Sequence, residues 1–121
     1  MADITFELIK KSLDASALRQ RVIANNIANI NTKGFKRSEV VFEDKLKSEL
    51  AKIESNPESI NALQPEVITD KSTSFREDGN NIDLDLEMAN MAANNIMYNM
   101  LVNRINNKFS MTRYIISEGR K

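Results

Sequence analysis

The best candidates for a reactive site in this chain are four clustered carboxylates, those of Asp78, Asp83, Asp85 and Glu87. Clustered oxygen ligands can bind Ca²⁺, but a calcium-binding loop has its ligands at alternate positions and a glycine at the sixth. Counted from Asp78, the glycine comes second and Ile82 occupies the fifth position. The spacing therefore predicts no calcium loop, and capping of a helix explains the same residues without a metal ion.

No other group of side chains supports catalysis or cofactor binding. The chain has no histidine and no cysteine, so the commonest general base, thiolate ligands and disulfides are all missing. Its three glycines are isolated from one another, so they cannot form a glycine-rich phosphate-binding loop. Paired carboxylates that hydrolyse a substrate would need a pocket between them, and the sequence indicates none. We expect no enzymatic activity, no cofactor and no metal.

Length and charge narrow the class of protein further. The chain has 121 residues, enough for one domain, and its 17 basic residues balance 17 acidic residues. The positive surplus that is typical of nucleic-acid-binding proteins is therefore absent. No stretch approaches the ~20 apolar residues that cross a bilayer, and the first residues lack the pattern of a secretory signal. We expect no nucleic-acid partner, no membrane insertion and, if the chain leaves the cytoplasm, export by another route.

A long apolar repeat occupies the C-terminal segment, residues 81–121. From Leu84, alternating steps of four and three residues reach an apolar side chain at eight of ten positions, which is the repeat of a coiled-coil seam. The pattern predicts one helix ~50 Å long, capped at its start by Asp83 and Asp85 and stopped at Gly119. The members of this repeat that we expect in an assembly interface are Met88, Met91, Tyr98, Val102, Ile105 and Phe109.

The N-terminal segment, residues 1–34, is predicted to be a helix and a turn. Its apolar residues form two adjacent stripes, which give a face wide enough to contact more than one helix. Asn31, Gly34 and Phe35 are predicted to form the turn, with Gly34 at positive φ. The residues of this helix that we expect in the interface are Leu18, Val22, Ile23, Ile27 and Ile30.

The middle segment, residues 35–80, contains both prolines and is harder to interpret. Apolar spacing predicts a short amphipathic helix over 39–54, and the polar composition of 55–80 indicates an irregular segment. This irregular part is expected to be a loop or a short extended segment, and the expected fold class is all-α.

Ten asparagines lie in the two predicted terminal helices. Each costs ~0.7 kcal/mol of helix propensity relative to alanine, so these helices should be weak when isolated. An asparagine at a packed position can instead set the register of two helices by hydrogen bonding between them.

Two segments resemble the signatures of the bacterial flagellar axial proteins, which are the rod, hook and hook-associated subunits. The first spans residues 16–36 with its core ANNIANINTKGF at 24–35, and the second is DGNNIDLDLEMANMA at 78–92. Lys33 stands where the family usually has proline, which leaves the following turn intact. The second signature, together with residues 42–46, is most similar to the proximal rod subunits of the family.

This resemblance implies a structural subunit of the flagellar basal-body rod in the periplasm. Such subunits leave the cytoplasm unfolded through the flagellar type III export apparatus and assemble helically through their terminal helices. Within the tube, the long N- and C-terminal helices pair as an antiparallel coiled coil. The implied partners are further copies of the chain, FlgC-like and neighbouring rod proteins, a FliE-like adaptor to the MS ring, and the export apparatus itself.

Two other interpretations stay open at the level of sequence. One is another rod component, FlgC-like, which would differ mainly in the middle segment and the C-terminal signature. The other is a helical secretion chaperone or adaptor, which should be a stable helical dimer on its own. Circular dichroism of the dilute protein distinguishes the second from a rod subunit.

Overall fold

The computed structural model describes residues 4–74 and 76–119. Two long helices, α1 (Ile4–Ala28) and α3 (Leu84–Gly119), lie at the ends of this region. The elements between them are β1 (Ser38–Val41), α2 (Glu43–Leu50), a 3-10 helix (Pro57–Ala62) and β2 (Glu66–Thr69). The other residues of the predicted terminal segments, 1–3 and 120–121, lie outside the described residues.

The helices α1 and α3 pack against each other in opposite directions. Phe6, near the start of α1, makes an edge-to-face contact with Phe109, near the end of α3, with ring centroids 5.5 Å apart. At the other end of the pair, the Asn26 side chain lies 3.2 Å from the carboxylate of Glu87. The predicted packing of the terminal helices against each other is confirmed. Because α1 is about 37 Å long and α3 about 54 Å at 1.5 Å per residue, the end of α3 extends past the start of α1.

A neighbouring face of α1 carries the middle segment. Ala15 of α1, Phe42 and Leu63 form a small buried core, and Leu46 of α2 packs against it. The side chain of Asn26 also holds β1, since its Oδ1 accepts the Ser38 N–H and its Nδ2 donates to the Ser38 carbonyl. The helix α1 is thus the central element, which contacts both α3 and the middle segment.

The all-α prediction is wrong for the middle segment. The strands β1 and β2 pair antiparallel, with Ser38 opposite Thr69 and Val41 opposite Glu66. Residues 39–41 of the predicted helix over 39–54 are therefore strand, α2 covers only Glu43–Leu50, and the segment 55–80 is not wholly irregular. β-branched residues are frequent in both strands, as two valines in β1 and as valine, isoleucine and threonine in β2, because such side chains pack well on a pleated surface.

Within the described residues, no helix combines the length and the hydrophobicity that a membrane span requires.

Candidate assembly interface

The turn after α1 is held by a side chain from the second signature. Asn80 is fully buried, and its Nδ2 donates to the carbonyl oxygens of Asn29 at 3.0 Å, Ile30 at 3.1 Å and Thr32 at 2.9 Å. All three carbonyls belong to the segment that follows Ala28, the last residue of α1. The first and second signatures therefore form one structure, in which Asn80 supplies donors to the backbone of the turn.

Two glycines let the signatures approach closely. Gly34 has φ +71° and Gly79 has φ +85°, so the predicted positive φ of Gly34 is confirmed. The Gly34 N–H donates to the Asp78 carbonyl at 2.9 Å, and a Cβ placed on Gly79 would lie 3.5 Å from the Gly34 Cα. Of the other predicted turn residues, Asn31 is exposed, and the carbonyl of the half-buried Phe35 accepts the Asn81 N–H at 3.3 Å.

A second asparagine joins the signatures to the turn after β2. The Oδ1 of Asn81 accepts the Arg37 N–H at 2.6 Å, and its Nδ2 donates to the Asp70 carbonyl at 3.0 Å and to Thr73 Oγ1 at 2.9 Å. Hydrogen bonds from the Ser72 hydroxyl and N–H, and then from Thr73, lower the pKa of the Asp70 carboxyl below its ordinary value. The turn is therefore stabilised while Asp70 is ionised.

A buried ion pair connects the segment before β1 to the start of α3. We call the region around Asn26, Arg37, Asn80, Asn81 and Glu87 the junction. Glu87 is fully buried, and its two carboxylate oxygens accept hydrogen bonds from Arg37 Nε at 2.8 Å and Asn26 Nδ2 at 3.2 Å. Burial lowers the pKa of Arg37, but the hydrogen bond and charge of Glu87, helped by Glu39, outweigh burial and raise it. The guanidinium thus stays charged beside the buried carboxylate, and the pair holds α1, β1 and α3 together.

A polar contact also sets the register of α1 on α3. Asn94 is buried; its Oδ1 accepts from Ser16 Oγ at 2.9 Å, and its Nδ2 donates to the Ser16 carbonyl at 2.9 Å and Gln20 Oε1 at 3.0 Å. These bonds can form in only one alignment of the helices, unlike contacts between apolar side chains. The predicted hydrogen bonding between the helices is observed for Asn94 and for Asn26, whereas most of the other asparagines of the helices are exposed.

The side of α3 that faces α1 differs from the predicted repeat. In the first half of α3, Glu87 and Asn94 are buried, whereas Met88, one residue from Glu87, is 53% exposed. In the second half the predicted seam is in contact, since Phe109 meets Phe6. The observed contact face differs from the predicted one because Glu87 and Asn94 are buried through their hydrogen bonds. A repeat of apolar residues does not include these two polar positions. The predicted positions that are half-buried are Met91, Val102 and Ile105.

The remaining predicted interface residues divide by exposure. Ile23 of α1 is buried, whereas Tyr98 of α3 is 42% exposed. The helix α1 therefore contributes mainly to contacts within the chain. Its half-buried predicted positions are Leu18, Val22, Ile27 and Ile30.

A second row of exposed apolar side chains runs along α3, beside the positions that meet α1. Its members are separated by three, four or eleven residues, which return to one side of an α-helix. All are between 44% and 66% exposed, so nothing in the described part of the chain covers them fully. We call this row the outer stripe; it consists of Leu86, Met97, Met100, Met111 and Ile115.

The acidic cluster at the start of α3 caps the helix. Asp83 immediately precedes α3, and its Oδ1 accepts the Leu86 N–H at 3.3 Å. Asp85 is exposed in the first turn, where a negative charge interacts favourably with the helix dipole. Residues 4–74 and 76–119 contain no group of three or more histidine, cysteine, aspartate or glutamate side chains that could hold a metal ion.

The sequence interpretation missed the polar residues of the junction. Asn80 and Asn81 lie within the second signature, where the sequence predicts no role for them. Nothing in the sequence singles out Arg37, and Glu87 is predicted only to support the start of the helix. The available signal was the Asn-Asn pair after Gly79, because adjacent amides in a turn can bond in two directions. Their bonds run to distant parts of the chain, so spacing alone could not identify the partners.

Comparison with known proteins identifies relatives over nearly the whole chain. Residues 12–36 match the family model described as Flagella basal body rod protein. The chain is 31% identical to the flagellar basal body rod protein FlgB of Bacillus subtilis (strain 168), over 96% of this chain and 95% of that protein. It is 33% identical to FlgB of Borrelia hermsii, over 94% and 96% respectively. FlgG of Buchnera aphidicola subsp. Baizongia pistaciae is 57% identical, but over only 31% of this chain and 14% of that protein.

Proposed function

The chain belongs to the flagellar basal body rod protein family as a FlgB-like member, and we propose that it assembles by burying the outer stripe of α3 against neighbouring subunits. The protein is a structural component of the basal-body rod and not an enzyme. The observation that carries the proposal is the row of exposed apolar side chains along α3.

The energetics of the outer stripe support this proposal. Several large apolar side chains left exposed along one face of a helix often mark an interaction site. Full burial of one large apolar side chain stabilises a contact by ~1.5–3 kcal/mol. The five side chains of the outer stripe are about half covered already, so completing their burial contributes several kcal/mol for each subunit.

The total surface of the chain agrees with a subunit that is completed by neighbours. A compact monomer of this mass, 13.7 kDa, has an accessible surface of ~6,600 Å². The chain exposes 8422 Å². Neighbouring subunits in an assembly would cover this additional accessible surface.

The route to the rod is part of the proposal. We infer that the chain is exported unfolded by the type III apparatus and folds in the periplasm, where its terminal helices assemble as a coiled coil. The asparagine-rich helices support an unfolded route, because their low propensity makes each helix weak before α1 meets α3. The proposed partners are further copies of the chain, FlgC-like rod proteins and a FliE-like adaptor.

The predicted interface residues divide into two roles under this proposal. Met88 and Tyr98 are exposed and flank the contact with α1, so they are available to neighbouring subunits. Val102 and Ile105 contribute to assembly indirectly, because they are half-buried and hold α3 against α1. Substitutions in the second group test folding, and substitutions in the outer stripe test assembly.

The test places a charge in the outer stripe. Met100 is 66% exposed, so Met100→Asp should change the free energy of unfolding of the free subunit by about 0.5 kcal/mol or less. A buried charge at an interface is costly, so the same variant should be absent from isolated basal bodies and its cells should not swim. The matched control is Asn103→Asp, which adds the same charge at an exposed polar position of α3.

If the outer stripe is the interface, the Met100→Asp protein is absent from basal bodies and the Asn103→Asp protein is present. Normal amounts of the Met100→Asp protein in purified basal bodies, with normal swimming, would show that the stripe faces solvent in the rod. Absence of the unmodified chain from basal bodies would contradict its function in the rod altogether.

A further inference from the structure

The last turns of α3 carry apolar side chains that α1 does not reach. Phe109 meets Phe6 close to the start of α1, and α3 continues to Gly119. We call residues 110–119 the overhang. Its Ile116 is 55% exposed, and Arg113, one turn earlier, lines the same surface concavity as Ile116. Arg113 makes no ion pair within the described part of the chain.

A groove lined by apolar and acidic side chains lies beside the start of α1. It has a volume of about 520 Å³, which suits a few side chains rather than a whole helix. Apolar side chains of α1 and the 3-10 helix line it together with two carboxylates, and neither carboxylate makes an ion pair with another described residue. At one end, the Lys11 ammonium donates to the Asn61 carbonyl at 3.0 Å. The residues that line this groove include Ile4, Glu7, Pro57, Glu58, Ile60 and Asn61.

The overhang and the groove are complementary in charge and in polarity. An isoleucine and an arginine one turn apart on the overhang match an apolar floor and a rim with Glu7 and Glu58. We propose that the overhang of one copy docks into this groove of a second copy, with Ile116 on the apolar floor and Arg113 paired with Glu7 or Glu58. This proposal rests on the proposed function, because it names the neighbour that covers part of α3.

The arrangement has a consequence for the geometry of assembly. The contact joins the overhang of one copy to the groove of another copy. In a docked pair, one copy therefore still has an unused groove and the other an unused overhang. Contacts of this heterologous kind propagate into rings or open helical arrays rather than closing after two copies. The overhang and the groove lie at the same end of the molecule, so the copies stand side by side with a small offset along α3.

Charge reversal tests the pairing in the full-length chain. Arg113→Glu, Glu7→Arg and Glu58→Arg each place like charges together at the proposed contact or remove its ion pair. We expect Arg113→Glu and at least one glutamate reversal to lower the amount of chain in isolated basal bodies by about tenfold or more, since like charges at an interface cost several kcal/mol. Combining Arg113→Glu with that glutamate reversal should restore incorporation to about threefold of the unmodified chain or better.

A cross-link gives a second measurement. The chain has no cysteine, so Ile116→Cys and Pro57→Cys introduce the only thiols. We expect the double-cysteine chain to form disulfide-linked multimers in oxidised basal bodies, and each single-cysteine chain to stay unlinked. The matched control combines Ile116→Cys with Val67→Cys on β2, which lies outside the groove.

The outcomes separate this proposal from the proposed function. If neither double reversal restores incorporation, or if the cysteine pair yields no multimers in basal bodies that contain the chain, the overhang binds something other than the groove of a second copy. In that case the function in the rod stands, because the unmodified chain is still incorporated. Absence of the unmodified chain from basal bodies would contradict both.

Discussion

A buried carboxylate in a contact between helices is tolerated only when its charge is compensated. Glu87 meets this condition with Arg37 on one oxygen and Asn26 on the other. The arrangement brings a residue from each of α1, α3 and the segment before β1 to one point. The stability of the junction therefore depends strongly on a single acidic side chain.

We predict that Glu87→Gln destabilises the chain. The substitution keeps the size of the side chain but leaves the largely buried Arg37 guanidinium without its main counter-charge, so the free energy of unfolding should fall by ~2–4 kcal/mol. Urea denaturation followed by circular dichroism measures this change.

The control uses the other glutamate that contacts Arg37. Glu39 lies 3.4 Å from Arg37, and its side chain is 57% exposed. Because an exposed ion pair contributes ~0–1 kcal/mol, Glu39→Gln should change the stability little. Equal losses for the two variants would contradict the assigned role of burial at Glu87.

The helices α1 and α3 combine an apolar contact with one specific alignment. Asn94 bonds to both Ser16 and Gln20, and Phe6 meets Phe109 further along the pair. Apolar side chains alone would permit the helices to shift along one another, whereas a buried amide with fixed partners does not. The asparagine lowers helix propensity and in return specifies the register.

We predict that Asn94→Ala lowers the free energy of unfolding by ~1–3 kcal/mol, because it removes three hydrogen bonds and leaves polar groups of α1 unsatisfied. The adjacent Asn95 is exposed, so Asn95→Ala should be neutral or stabilising by up to ~0.7 kcal/mol. Thermal unfolding of the two variants under identical conditions measures the difference. Equal stabilities would show that the amide of Asn94 does not hold the pair.

Local patterns predicted the long helices well and the middle segment poorly. Apolar spacing and Asp83 define the start of α3 because periodicity and capping are properties of neighbouring residues. The strands have only four residues each, and their pairing depends on partners across α2 and the 3-10 helix, so short-range alternation could not reveal them. The hydrogen bonds from Asn80 to the turn after α1 are likewise contacts between distant segments.

The candidate interface was predicted in part for a related reason. Hydrophobic spacing predicted one long interface helix, and the second half of α3 contacts α1 through the predicted position Phe109. The spacing could not show which side of α3 meets α1, because Glu87 and Asn94 are polar and became buried only through their partners. The outer stripe can be identified only after the side of α3 that meets α1 is known.

The whole molecule presents a gradient of contacts along α3. Near Glu87 the helix is bonded to α1 and to the segment before β1, and near Phe109 it still touches α1. The overhang, residues 110–119, has mostly exposed side chains. Local stability in a protein follows the density of such contacts.

We predict that this gradient governs hydrogen exchange in the free subunit and disappears in the rod. In dilute protein, amides of the overhang should exchange far faster than those of residues 87–105, because a helix end without tertiary contacts frays readily. In isolated basal bodies the overhang should become protected, since neighbouring subunits cover it. Hydrogen exchange with mass spectrometry on both samples measures the two states, and the peptide containing Asn94 is the internal reference. Equal protection of the overhang and of that peptide in the dilute monomer would show that α3 is complete without neighbours, which would contradict assembly as the source of its stability.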